Sequence, residues 1–244
     1  MVKSELIQLS PEALHSIDIF RSLSYDDRKA LVARFTARRY APGQQIISYH
    51  DSSRHVFFVI SGRVRATIYS LSGKEVTLQD LEAGQMFGEL AAIDGLPRSA
   101  HVIALTEVMI AGLSAEDFWL ALRAYPQVCE AILKRLTAMV RAMSERVFEY
   151  SALHVKDRIH CELLRLARAQ EQEGHAAVIT PAPTHTEIAS RIGTHREAVT
   201  RELNALKQAG LISKRGNSLV ICDVDRLLNL VSNALGQPPY SPPM

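Results

Sequence analysis

Cysteine is scarce in this chain: 3 among 244 residues, at Cys129, Cys161 and Cys222. No two stand close enough for a CxxC pair, which excludes a zinc ribbon, a cysteine-held cluster and a disulfide framework; all three are expected to be reduced and mostly buried. Long apolar runs are lacking as well. The longest, such as Val56-Phe57-Phe58-Val59-Ile60, fall far short of the roughly 20 residues that span a bilayer, and Met1-Val2-Lys3-Ser4-Glu5 lacks the basic-then-apolar order of a secretory leader. The expected place is the cytoplasm, with no membrane partner. Charge of one sign is also missing: the net charge is +2, residues 1–153 carry 17 Lys and Arg against 17 Asp and Glu, and residues 154–223 carry 10 against 8. A nucleic-acid reading must therefore rest on where basic residues stand. Paired carboxylates, a P-loop, a Ser/His/Asp arrangement and metal-ligand spacing are absent, so neither an enzyme nor a metal protein is expected.

What is present is ordinary globular sequence, 47% hydrophobic and 22% charged, long enough for one large core or two modest ones. Residues 5–20 are a helix candidate, and Ser24 before Asp26 and Asp27 has the form of an N-cap leading to Leu31, Val32 and Phe35. From Arg39 to about Leu113, short apolar or alternating segments recur every ten or so residues, broken by Pro42-Gly43, Asp51-Ser52-Ser53, Ser61-Gly62, Ser72-Gly73 and Ala83-Gly84. That pattern predicts an antiparallel β-roll, with a hairpin at Ser70 to Lys74. Ser114 to Asp117 caps a further helix. Pro126 then opens a long one carrying Val128, Ile132, Leu136, Met139, Val140, Met143 and Val147 at steps of three and four. A rod of about 40 Å exceeds what a small roll can cover, so its stripe is expected to pair with a second copy as a parallel coiled coil. A second helical pattern follows Val155, with a polar break at Gln170 to His175 and a domain boundary near Leu153.

The centre of the first half is Phe87-Gly88-Glu89-Leu90-Ala91-Ala92-Ile93-Asp94-Gly95-Leu96-Pro97-Arg98-Ser99-Ala100. A guanidinium fork matches phosphate oxygens bidentately, and the Ser99 hydroxyl and helical-turn N–H groups add donors. Glu89 repels phosphate and is better suited to accept from sugar hydroxyls, as acidic residues do for ribose in dinucleotide sites. Phosphate plus ribose points to a nucleotide. In the second half, Thr184 with Glu187 and Thr194 with Glu197 each have capping-box form. Gly193 between them allows a tight turn, and Ile188, Ala189, Ile192, Val199 and Leu203 supply an inner face. This reads as a helix-turn-helix. Its second helix offers Thr194, His195, Arg196, Glu197, Thr200 and Arg201 outward, where Arg can grip guanine and a carboxylate can accept from cytosine. Leu211 to Ile221 reads as a β-hairpin wing with Lys214 and Arg215 beside its turn, Asp225 to Leu235 as a small helix, and 237–244 as a loose proline-rich tail.

The run FGELAAIDGLPRSA resembles the phosphate-binding cassette of cyclic-nucleotide-binding domains. The order of β-roll, cassette, long helix and winged helix-turn-helix resembles the CRP/FNR (catabolite activator) family of bacterial transcription regulators over roughly residues 10 to 223. The resemblance implies an α+β protein: a β-roll cyclic-nucleotide-binding domain at 1–125, a long dimerisation helix and hinge at 126–153, a winged helix-turn-helix DNA-binding domain at 154–236, and the tail at 237–244. It implies a ligand site of Gly88, Glu89, Leu90, Arg98 and Ser99, with Met143 and Ser144 meeting the effector base. Ser144 fits the family pattern; Met143 stands where cAMP-binding members carry a threonine, which leaves cAMP and cGMP both open as allosteric effector. On this resemblance Arg98→Leu should abolish the response with the fold intact. It further implies double-stranded DNA as partner, read as a palindromic TGTGA-like operator by a homodimer, and RNA polymerase as a further partner. The DNA-facing set is Thr184 and His185 on the first helix, His195, Arg196, Glu197, Thr200 and Arg201 on the second, and Lys214 and Arg215 on the wing. The rival expectation is a regulator of this fold sensing a different small molecule, redox state, or haem through a residue such as His101.

Overall fold

The computed structural model describes residues 7–170, 172–173 and 175–236, so the proline-rich tail at 237–244 lies outside the described residues. The chain divides into two compact units, Met1–Val140 and Arg141–Met244, each with its own core.

The first unit opens with α1 (Pro11–His15), a 3-10 turn at Asp18–Phe20, and α2 (Tyr25–Val32). This replaces the single helix expected over 5–20. Pro11 lacks the N–H a helix interior needs and so sits at the helix start. At the other end the Ser16 hydroxyl donates to the Ala13 carbonyl at 2.8 Å and the Asp18 N–H leaves to the Gly84 carbonyl at 2.9 Å, so the helix stops after one turn. Ser24 caps α2 as expected, accepting from the Asp27 N–H.

Eight strands follow: β1 (Thr36–Tyr40), β2 (Gln45–Ile47), β3 (Val56–Ser61), β4 (Arg63–Tyr69), β5 (Glu75–Glu82), β6 (Met86–Phe87), β7 (His101–Ala104) and β8 (Val108–Leu113). They form two antiparallel four-stranded sheets, ordered β1-β8-β3-β6 and β2-β7-β4-β5. The expected hairpin joins β4 to β5, with Gly73 in the left-handed region and the Ser70 N–H donating to the Lys74 carbonyl. Inward residues of both sheets, including Ile47, Val64, Val102 and Ile110, form the roll interior. A second cluster packs Leu14, Phe20 and Phe58 against the helices that close the unit: α4 (Ala115–Ala124) and the first turns of α5 (Pro126–Ala152). The cassette becomes β6, then α3 (Glu89–Asp94), then a turn into β7.

The second unit contains the rest of α5, then α6 (Val155–Arg168), β9 (Gln172–Glu173), β10 (Ala176–Ile179), α7 (His185–Ile192), α8 (Arg196–Gln208), β11 (Ile212–Arg215), β12 (Ser218–Ile221) and α9 (Val224–Leu235). The wing hairpin is part of a sheet ordered β11-β12-β10-β9. β10 is not among the strands expected from the sequence, because Ala176-Ala177-Val178-Ile179 is too short to show a period and acquires strand character from pairing with β12. Gly193 provides the αL turn between α7 and α8, and the Thr184–Glu187 capping box is formed. The second expected capping box is not. The Thr194 N–H closes α7 by donating to the Ala189 carbonyl, a six-to-one bond of the kind that ends helices, so α8 starts one residue later with His195 at its cap. Of the cysteines, Cys161 is buried, Cys129 half-buried and Cys222 exposed, so the expectation of burial fails for Cys222. Burial pushes the Cys161 thiol up to about 12, which keeps it protonated and unreactive.

Candidate functional site

The cassette wraps one side of a cavity of about 120 Å³ in the first unit, and Gly88, Glu89, Leu90, Arg98 and Ser99 all line it. The local chain dictates this arrangement. Gly88 has φ +80°, and a Cβ there would stand 2.6 Å from Arg98 Nη1, so glycine alone allows the guanidinium to lie against the backbone. Arg98 is 2% exposed. Its Nε–H donates to Ser53 Oγ at 3.1 Å, Nη1 to the Gly88 carbonyl and Nη2 to the His55 carbonyl at 2.8 Å each, and the fork lies 5.6 Å from the Phe57 ring centroid. Three of its five N–H donors are thus engaged by protein. The loop over 50–55 clamps its backbone too: the Arg98 N–H donates to the Asp51 carbonyl, and the His50 N–H to the Arg98 carbonyl.

Glu89, the first residue of α3, is 5% exposed. Burial raises its carboxyl above the ordinary value; its own backbone N–H and the charges of Arg135 and Arg98 oppose that rise without cancelling it. Burial likewise lowers Arg98, opposed by Asp51 and Glu89. Among the described residues Glu89 makes no ion pair with Arg98, whose hydrogen bonds go to other groups. A buried acceptor and a buried cation therefore line one cavity without being joined. Arg135 is the residue that sequence reasoning missed. It enters from α5, lines the cavity, donates from Nη2 to the Met86 carbonyl at 2.7 Å, and has a buried Nε–H with no hydrogen-bond partner. The available signal was its spacing, three residues after Ile132 and four before Met139, which puts it on the inward face. Met143 and Ser144 lie further along α5, exposed and in the second unit.

In that second unit His195, Arg196, Glu197 and Arg201 are exposed on the first turns of α8, and Lys214 and Arg215 are exposed on β11. Thr184 caps α7. Thr200 and His185 engage one another, hydroxyl to Nδ1 at 2.7 Å, with Thr200 half-buried. Behind this face, the Arg191 carbonyl at the end of α7 accepts from Arg146 at 3.2 Å and from the Tyr150 hydroxyl at 2.8 Å, both on α5. Buried Glu162 of α6 gathers three cations, Arg165, Arg191 at 3.3 Å and Arg146 at 4.0 Å. Buried His160 reaches Glu202 of α8 at 2.7 Å.

The α5 stripe is split by burial. Val128 and Ile132 are absorbed in the core of the first unit, Leu136 and Met139 are half-buried, and Val140, Met143 and Val147 (64% exposed) stand in solvent at steps of three and four, as does Leu133 (59% exposed), which the stripe did not include. Among the described residues no helix is long and apolar enough to cross a membrane, and no group of metal-binding side chains occurs.

Comparison with known proteins supplies the class. Residues 37–125 match the cyclic nucleotide-binding domain family and residues 157–230 the Crp-like helix-turn-helix domain family. A nucleotide-binding roll ahead of a DNA-binding helix-turn-helix on one chain defines a transcriptional regulator. The chain belongs to the CRP/FNR family. It is similar to the CRP-like cAMP-activated global transcriptional regulator of Mycobacterium tuberculosis, 28% identical over 219 residues, covering 88% of this chain and 97% of that protein. It is 29% identical over 194 residues to the cyclic AMP receptor protein of Thermus thermophilus, covering 80% and 87% respectively. In fold it is similar to a CooA mutant from Carboxydothermus hydrogenoformans, with a TM-score of 0.76 at 21% identity over 93% of this chain and 98% of that one.

Proposed function

We propose that this regulator is a cytoplasmic homodimer switched by a cyclic nucleotide, cAMP first and cGMP second, and that the switched dimer reads a palindromic TGTGA-like operator and meets RNA polymerase there. The observation that carries the reading is the pair Glu89 and Arg98: both buried, both lining one cavity, and not joined to each other. A buried charge without its partner is costly unless a ligand completes it. A 3′,5′-cyclic phosphate answers the unspent donors of Arg98 and the hydroxyl of Ser99, and a ribose 2′-OH donates to Glu89, beside Gly88 and Leu90. Arg135 adds a further donor to this site. Met143 and Ser144 enter as the base-contacting residues, on the family resemblance. The relatives described as cAMP-activated or as a cyclic AMP receptor support cAMP as the first choice.

DNA reading rests on Arg196 and Arg201 for guanine and Glu197 for cytosine. His195 stands beside them, Thr184, His185 and Thr200 seat the helix against the duplex, and Lys214 and Arg215 meet phosphate. The exposed half of the α5 stripe is the seam for a second copy. To move the dimer from 1:99 to 99:1 in favour of the DNA-binding state, nucleotide must prefer that state by about 5.5 kcal/mol, shared over two sites.

The test is calorimetric titration of the full chain with cAMP and with cGMP, alone and with an operator duplex. Saturable binding of one nucleotide per chain, tighter with operator present, is expected. Absence of heat for both nucleotides at millimolar concentration sinks the effector reading and leaves the rival, another signal on the same fold.

A further inference from the structure

Effector binding must leave the cassette by some route, and the packing around α3 offers one. This helix is only six residues long and is bounded by Gly88 and Gly95, both in the left-handed region at φ +80° and +73°. Such glycines are backbone swivels. Between them α3 is held by small side chains, Ala91 and Ala92, which are buried but offer little surface to grip. The last four carbonyls of any helix lack intrahelical partners, and in α3 one of these, that of Ala92, accepts from the Trp119 Nε1–H of α4 at 3.0 Å. Among the described residues this is the one side-chain hydrogen bond that reaches α3 from another element. Trp119 is itself steadied, with the Arg123 guanidinium 5.8 Å from its ring centroid and the neighbouring Phe118 fully buried. A single residue, Tyr125, then separates α4 from α5, and its carbonyl accepts from the Val128 and Cys129 N–H groups, so the two helices share an elbow with little slack.

We propose that Trp119 is the positioning residue that couples the cassette helix α3 to α4 and the start of α5. The inference rests on the effector reading above. When a ligand hydroxyl engages Glu89 at one end of α3, the swivels let the helix shift. The indole N–H at the other end then either loses its acceptor or carries α4 with it.

The chain has a single tryptophan, so its emission reports on the surroundings of Trp119 alone. The full-length protein is titrated with cAMP while heat and tryptophan emission are followed together. An emission change that saturates with the heat is expected. In Trp119→Phe, which keeps a ring and removes the donor, the factor by which cAMP tightens operator binding should fall at least tenfold, and by linkage operator should lose the same factor in tightening cAMP. Unchanged emission at saturating cAMP, or an unchanged factor in Trp119→Phe, overturns the coupling role while leaving the effector reading in place. Absence of heat in the wild type removes both. Should Trp119→Phe fail to fold, the wild-type emission titration decides alone.

Discussion

Glu89 enters the folded protein at a cost, since burial raises its carboxyl above the ordinary 4.5. A raised folded value means that its stabilising share is complete below 4.5 and is lost as pH rises through the folded value, so the ionised group destabilises the ligand-free protein near neutrality. Glu89→Gln should therefore melt higher than the wild type at pH 7 by about 1 kcal/mol, roughly 2–4 °C, with the gap closing towards pH 4.5, as read by scanning calorimetry. The same variant should bind cyclic nucleotide more weakly. A binding site that is less stable than it could be is a common mark of function. Arg98 behaves oppositely. Because its donors hold Ser53, Gly88 and His55, Arg98→Leu leaves buried carbonyls without partners and should destabilise the fold by about 1–3 kcal/mol in a urea melt while abolishing nucleotide binding. The pair was legible in sequence because the cassette is one continuous run. The anchoring of Arg98 was not, since two of its three partners, Ser53 and His55, come from a loop more than forty residues away.

The long helix shows how an element divides its work. Its length and stripe are evident from spacing alone, but only packing tells Val128 and Ile132, spent on the first unit's core, from Val140 and Val147, which remain exposed. Val147→Asp should cost the monomer fold little, within about 0.5 kcal/mol, and should shift sedimentation at micromolar concentration from dimer to monomer. Dimeric sedimentation in that variant would place the seam elsewhere. Further along, Glu162 gathers cations from α5, α6 and α7. Glu162→Gln removes the buried carboxylate that these half-buried arginines share and should cost about 1–3 kcal/mol in a urea melt. The sequence offered no hint of this cluster, because its members lie up to 45 residues apart, from Arg146 to Arg191.

At the scale of the whole molecule, a two-fold dimer should set its α8 helices into successive major grooves about 34 Å apart, which makes the operator a palindrome. Arg196→Ala should cost roughly 1–3 kcal/mol and relax choice at one base pair, whereas Arg215→Ala should weaken all sequences alike and lower the salt slope by about 1. Competition gel shifts across operator variants and salt concentrations separate the two. The order of roll, cassette, rod and winged helix-turn-helix is determined by the sequence, since local rules write each part: turn residues at short intervals, a stripe at steps of three and four, caps and glycines at helix ends. The same local rules failed where the signal was short or shared, at α1, at β10 and at the start of α8. Only the tertiary structure decided that Arg135 joins the cavity, that Arg98 is already held, and which half of the α5 stripe stays exposed, because each depends on contacts between segments far apart in the chain.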